Sequence, residues 1–190
     1  MPHLFSVPPP RLAPGVLYHN ENAVTSVLFL IPALQPNMHA IYYVILCILA
    51  ATSFGWWGFQ MDTAQIFDVS CVASLASYYA VSYYLPHETN VIVAVIFGTT
   101  AYLEISRYRL VNQALIIGLL MGAVIHGVAQ WNFLSATLLV LGLLCKWLDI
   151  AGFLKFGTAF FHLFASISLL SFTPVYHSPS AWSHHLQAQP

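Results

Sequence analysis

"MHAIYYVILCILAATSFGWW", residues 38–57, runs for twenty positions without an Asp, Glu, Lys or Arg side chain. At a rise of about 1.5 Å per residue, a helix of that length covers roughly 30 Å, the thickness of a bilayer's hydrocarbon. The run therefore reads as a membrane span. It ends at "GFQMDTAQ", residues 58–65, where Gln60 and Asp62 interrupt the apolar pattern before a second long run begins.

The rest of the chain repeats this alternation. With turn residues as breaks, windows of similar length predict seven spans: 17–34, 38–57, 65–85, 90–105, 111–129, 132–149 and 155–173. The expected fold is an all-α membrane protein, a seven-transmembrane helix bundle. Connectors such as "QPN", "LPHET" and "QWN" are short enough to make successive spans antiparallel neighbours. One membrane domain, 17–173, is expected between a Pro-rich leader, 1–16, and a flexible tail, 174–190, that carries His177, His184 and His185.

Composition agrees with this reading. The chain of 190 residues is 59% hydrophobic and 6% charged, with a mean hydropathy of +0.76, whereas soluble domains carry about 25% charged residues. Five Lys plus Arg against six Asp plus Glu leave no basic stripe for nucleic acid and no polybasic anchor for anionic lipid. Cys47, Cys71 and Cys145 are isolated in apolar runs and read as small core side chains. Ser70, Ser74 and Ser77 share a face of the third span, and Gly118 with Gly122 form a GxxxG in the fifth, both of which predict close helix packing. Seven spans put Arg11, Arg107, Arg109, Lys146 and Lys155 near one membrane side, which is then cytoplasmic and holds the N-terminus.

Ionisable groups within spans are costly, so each is a candidate for function. Ser53 near the end of span 2, Asp68 at the start of span 3, Asp149 at the end of span 6 and His162 in span 7 should meet on the side marked by the basic residues. Lys146, three residues before Asp149, offers it an ion pair at helical spacing, and Arg107 offers the same to Glu104. His39, His87 and His126 fall on the opposite side and read as interfacial or hydrogen-bonded histidines.

Several of these residues stand in a familiar order. Ser53, three residues, Trp57, ten residues, Asp68 has the spacing of the SxxxH motif and downstream Asp of the CREST superfamily of seven-span proteins, which includes the alkaline ceramidases and the progestin and adipoQ receptors. "ENAVTSVLFLIPAL" at 21–34 resembles the first span of a ceramidase, "AQIFD" at 64–68 the approach to the family's Asp, "KWLDI" at 146–150 the Trp and Asp region before the last span, and "TAFFHLFASISLLSF" at 158–172 the final HxxxH span.

The resemblance implies a zinc amidohydrolase acting on a membrane lipid, ceramide or another N-acyl lipid. Three histidines would hold the metal and an open position its water, whose pKa falls toward about 7. The Asp would take the water's proton, and the Ser hydroxyl would stabilise the oxyanion. Carried over to this chain, Ser53 and Asp68 take these catalytic roles and His162 is a metal ligand. Trp57 and Thr158 stand where the other two histidines belong. Trp offers no lone pair to a metal, and a neutral Thr hydroxyl is a poor ligand. "PGVLYHNEN" at 14–22 has one acidic residue where the family holds calcium, so calcium is not expected.

Two readings follow. In the first, the chain is a lipid-binding or lipid-sensing pseudoenzyme without the zinc triad. In the second, it is an active lipid amide hydrolase with a rebuilt metal site, drawing on Asp68, His162 and Asp149, or on Gln60 or Asp62 folded back from the connector. A retinal photoreceptor would need a lysine at mid-span, and Lys146 and Lys155 lie near span ends. No inverted repeat suggests a transporter.

Overall fold

The computed structural model describes residues 20–35, 40–82, 84–85 and 87–171. The leader, the tail with His177, His184 and His185, and Arg11, His19 and His39 lie outside the described residues. Seven helical segments make up the fold, and there is no strand among the described residues. The first, α1, runs Asn20–Ser26, tightens to a 3₁₀ turn at Val27–Phe29, and resumes at Leu30–Ala33. Pro32 accounts for the tightening, because it lacks the N–H that would bond the Leu28 carbonyl and its ring crowds that carbonyl.

The others are α2 (Ala40–Phe59), α3 (Asp62–Val81), α4 (Thr89–Ile105), α5 (Arg109–Ala129), α6 (Phe133–Ile150) and α7 (Gly157–Ser171). Three of them, α2, α5 and α6, are long and apolar enough to cross a membrane; α4 and α7 are apolar but shorter. That is consistent with an integral membrane protein. The expected spans match these helices to within a few residues at each end, and the largest shift is α3, which runs 62–81 rather than 65–85.

Helix α3 is central, packed against α2, α4 and α5. It is the helix richest in buried residues, and Ser70, Ser74 and Ser77 are all inside. Ser70 and Ser77 bond back to carbonyls of their own helix, at Ile66 and Ser74 (2.8 Å each), while Ser74 reaches the Val93 carbonyl of α4 (3.5 Å). A helix surrounded by protein rather than lipid can carry hydroxyls satisfied in this way. Helix α1 packs on both α2 and α7, and α6 lies along α7, so the chain's first helix comes to rest beside its last.

Several helices end in a left-handed residue: Gln60 (φ 56°) after α2, Arg107 (φ 62°) after α4, Trp131 (φ 59°) after α5 and Gly152 (φ 79°) after α6. Paired bonds such as Asn132 N to Gly127 O (2.8 Å) and Trp131 N to Val128 O (3.0 Å) make the ends of α4, α5 and α6 Schellman turns, while α2 closes with the single bond from Gln60 N to Trp56 O (2.9 Å). The turn at Arg107 changes an expected ion pair. Glu104 meets Arg109, not Arg107: its Oε1 lies 3.6 Å from Arg109 Nε, and its Oε2 accepts from Asn112 Nδ2 at 3.0 Å. The i, i+3 register that would bring Arg107 to Glu104 is lost once Arg107 leaves helical geometry.

The GxxxG of α5 is also not a close-packing device. A Cβ at Gly118 would meet nothing within 4 Å, and one at Gly122 only the Ala80 Cβ at 3.7 Å. Spacing puts the two glycines on one face but does not say whether a helix lies against that face. Gly118→Ala should therefore leave the melting temperature unchanged or raise it by the helix-propensity gain of up to about 1 kcal/mol. A drop of several degrees would mean that a second helix covers this face.

The tight approach is between α6 and α7. A Cβ on Gly142 would sit 3.3 Å from Phe161 and Phe164. At the end of this hairpin, Ser135 and Ser168 hydroxyls lie 2.8 Å apart and each reaches the other's carbonyl, at 3.1 and 2.9 Å. Asn132 joins them, accepting from Ser135 N (3.1 Å) and donating to the Ser171 carbonyl (3.0 Å).

Candidate functional site: a buried polar cluster at one end of the bundle

The opposite end of the α6–α7 hairpin carries most of the polar residues singled out in the sequence. Helix α1 positions them by running between α2 and α7. Its inward stripe is Asn22, Ser26 and Phe29, a helical i, i+4, i+7 repeat buried throughout. Ser26 Oγ lies 2.9 Å from Ser53 Oγ of α2 and 2.7 Å from its own helix's Asn22 carbonyl. This hydroxyl pair joins α1 to α2, and Asp68 of α3 lies within electrostatic reach of Ser53. The Asn22 side-chain Oδ1 is buried and has no hydrogen-bond partner among the described residues.

His162 enters from α7 and is 2% exposed. Its Nδ1 lies 3.1 Å from Thr25 Oγ1 of α1, and Thr25 also bonds the Glu21 carbonyl at 2.7 Å. Aromatic edges enclose the imidazole: the Phe29 ring is centred 5.4 Å away and the Trp57 ring 6.5 Å away, both inclined by more than 60°. Trp57 therefore fills space directly beside His162.

One turn before His162, Thr158 is spoken for. Asp149 Oδ2, at the end of α6, accepts from both Thr158 N (2.8 Å) and Thr158 Oγ1 (2.6 Å). The carboxylate caps the first turn of α7 from a neighbouring helix, where exposed N–H groups and the helix dipole favour negative charge. This approach demands Gly157, since a Cβ there would lie 2.0 Å from the Cys145 carbonyl oxygen.

Lys146 faces the same interior. Only 7% of it is exposed, its Nζ stands 4.8 Å from the centre of the Phe161 ring, and Asp68 and Asp149 both lie within electrostatic reach. Asp149, the partner expected for Lys146, is bonded to Thr158 N and Oγ1. Ser53, Asp68, Trp57, Thr158, Asp149 and His162 belong to one end of the bundle. Asp62 lies apart, exposed in the first turn of α3. Gln60 is half-buried in the α2–α3 turn, and its Nε2 has no acceptor among the described residues. Asn22, Thr25 and Ser26 were not foreseen; their i, i+3, i+4 spacing in an otherwise apolar helix was the available signal.

Zinc fits this donor set poorly. Trp57 has no lone pair to offer a metal beside His162, and the Thr158 hydroxyl is already bonded to Asp149. Among the described residues no three His, Cys, Asp or Glu side chains are grouped to hold a metal ion. Nor does His162 bond Ser53, so the two do not form a nucleophile–base couple.

Beneath the cluster lies a cavity of about 60 Å³ at the centre of the bundle. Phe29 and Phe161, which touch His162, are in its wall, and Leu49, Val72, Leu120 and Ala165 line it further down. Its surface is mostly apolar, with Tyr79, Ser135 and Ser168 the polar side chains of its wall. No family model matches the chain, and neither a curated protein nor a solved structure matches it.

Proposed function

We propose that this protein is a seven-span bundle of the CREST type that binds a membrane lipid, ceramide or another N-acyl lipid, without hydrolysing it. Its N-terminus lies on the cytoplasmic side. The observation that carries the reading is the apolar cavity whose wall, at Phe29 and Phe161, is also the wall of the His162 environment. A ligand with a polar end and a hydrocarbon end fits that sequence of surfaces. The polar end meets the hydroxyls and carboxylate around Ser53 and Asp68, and hydrocarbon enters the cavity below.

Size limits the fit. An engineered apolar cavity of about 150 Å³ admits benzene, so 60 Å³ holds only a few methylene groups. The remainder of each acyl chain stays in the bilayer. The absence of a zinc-ready donor set supports binding over hydrolysis, because Trp57 and Thr158 stand where the family's other two histidines belong.

The test is lipid retention. Protein purified in mild detergent should carry near-stoichiometric lipid, detected by mass spectrometry of the extract. Ala165→Leu, which adds three carbons to a cavity that holds only a few methylene groups, should lower the retained lipid at least about fivefold while melting near the wild type. Retention that is unchanged by Ala165→Leu, or no lipid at all, would refute the reading. Turnover of an N-acyl lipid that vanishes in His162→Ala would replace it with the hydrolase.

A further inference from the structure

We infer that Asn22 selects the linkage of the bound lipid: its buried side-chain oxygen accepts a hydrogen bond from the amide N–H of an N-acyl lipid. The inference rests on the lipid-binding reading and names the atom at which an amide is told from an ester.

Asn22 belongs to the first turn of α1, where a polar side chain is ordinary as long as it faces out, as exposed Asn20 does. Asn22 is instead buried, with 5% of it exposed, and its Oδ1 has no hydrogen-bond partner among the described residues. A buried amide oxygen without a donor carries a desolvation cost that a Leu of similar size would not. Native interiors leave few such atoms unmatched. This oxygen can only accept, so what satisfies it is a donor.

The neighbouring hydroxyls of α1 are engaged elsewhere. Ser26 Oγ lies 2.7 Å from the Asn22 main-chain carbonyl and 2.9 Å from Ser53 Oγ. Thr25 Oγ1 lies 2.7 Å from the Glu21 carbonyl and 3.1 Å from His162 Nδ1. Each hydroxyl has one proton, and each has these other partners on which to place it.

Position along α1 decides what kind of donor fits. Asn22, Ser26 and Phe29 form one buried stripe, and Phe29 is in the wall of the apolar cavity. Seven residues of helix separate Asn22 from Phe29, about 10 Å along the axis. A donor at Asn22 joined to a hydrocarbon chain following the stripe sets its first methylene groups beside Ser26 and Ser53 and later ones in the cavity. The secondary amide of an N-acyl lipid supplies both the N–H and the chain. An ester of equal length has an oxygen in place of the N–H and turns lone pairs toward Oδ1, which selects against it.

The experiment is a retention competition on the full chain in mild detergent, offered N-butyl oleamide and butyl oleate in equal amounts; the two lipids differ by one N–H. Retained lipid is measured by mass spectrometry in wild type and in Asn22→Leu. Wild type should hold the amide over the ester by at least about tenfold, and in Asn22→Leu the ratio should fall to within about twofold of one. Stripped of lipid by detergent, Asn22→Leu should melt no lower than wild type, because an unmatched acceptor is gone. The same ratio in both proteins overturns the inference, and is the result expected where a water molecule alone satisfies Oδ1. If Asn22→Leu does not fold, Asn22→Ala replaces it, and a wild-type ratio near one overturns the inference with no variant needed. Retention of both lipids without preference removes the role of Asn22 and leaves the lipid-binding reading standing; retention of neither removes both.

Discussion

Gly157→Ala should cost about 3 kcal/mol or more, and in a marginal membrane bundle that is enough to abolish recovery of folded protein. The added Cβ would lie 2.0 Å from the Cys145 carbonyl oxygen, 2.9 Å from its carbon and 2.6 Å from the Asp149 Cβ. Two of those three atoms are main chain of a long helix, so no side-chain rotation relieves the clash. The glycine is needed for space, not for an unusual backbone angle: only Gly152 among the described glycines has a positive φ. The measurement is the melting temperature and the yield of monodisperse protein, with Gly118→Ala as the matched control in which a methyl enters open space. A Gly157→Ala protein that melts within a degree or two of wild type would mean that α6 and α7 do not meet this closely.

Asp149→Ala should cost about 2 to 3 kcal/mol. It removes the acceptor for both Thr158 N and Thr158 Oγ1, and hydrogen bonds to a charged group contribute about 1.5 to 3 kcal/mol where the partners are left buried. Losing an N-cap alone costs about 1 kcal/mol. Asp149→Asn keeps an oxygen acceptor while giving up the charge, and should lose less than half as much. The local readout is hydrogen exchange in the first turn of α7, which should quicken at residues 157–162 in Asp149→Ala. Equal losses in the two variants, with no change in exchange, would remove Asp149 as the cap. Because Thr158 is one turn from His162, the same variant should loosen the contact between His162 and Thr25.

The helices themselves were largely legible in the sequence. Long apolar stretches separated by polar breaks have few physical outcomes, and each expected span has a helix within a few residues of it. Helix α3 is instructive because it was found despite being the least membrane-like of the long helices. Its serines were read as an inward face, and that face is buried. The candidate site was legible in part. Ser53, Asp68 and His162 could be assigned to one end because alternating spans send their odd and even termini to opposite sides. What hydrophobic patterning could not supply was direction around each helix axis. It left Lys146 as a mark of membrane side and a partner for Asp149, and it missed Asn22, Thr25 and Ser26. The α5 glycines failed for the same reason: a motif reports shared face, and only a neighbour makes that face an interface.

From the residues alone come the all-helical class, the positions of the helices, and the ends at which charge is tolerated. These follow from local quantities, apolar run length and the high cost of burying polar groups, which each segment carries wherever its neighbours lie. Tertiary structure decided the rest. It set α1 between α2 and α7, so that Ser26 meets Ser53 and Thr25 meets His162; it turned Lys146 inward over Phe161; and it drew Asp149 onto the start of α7. Such contacts join residues up to 137 positions apart, and their strength depends on ångström-scale distances and on burial. Neither quantity exists until the helices have packed.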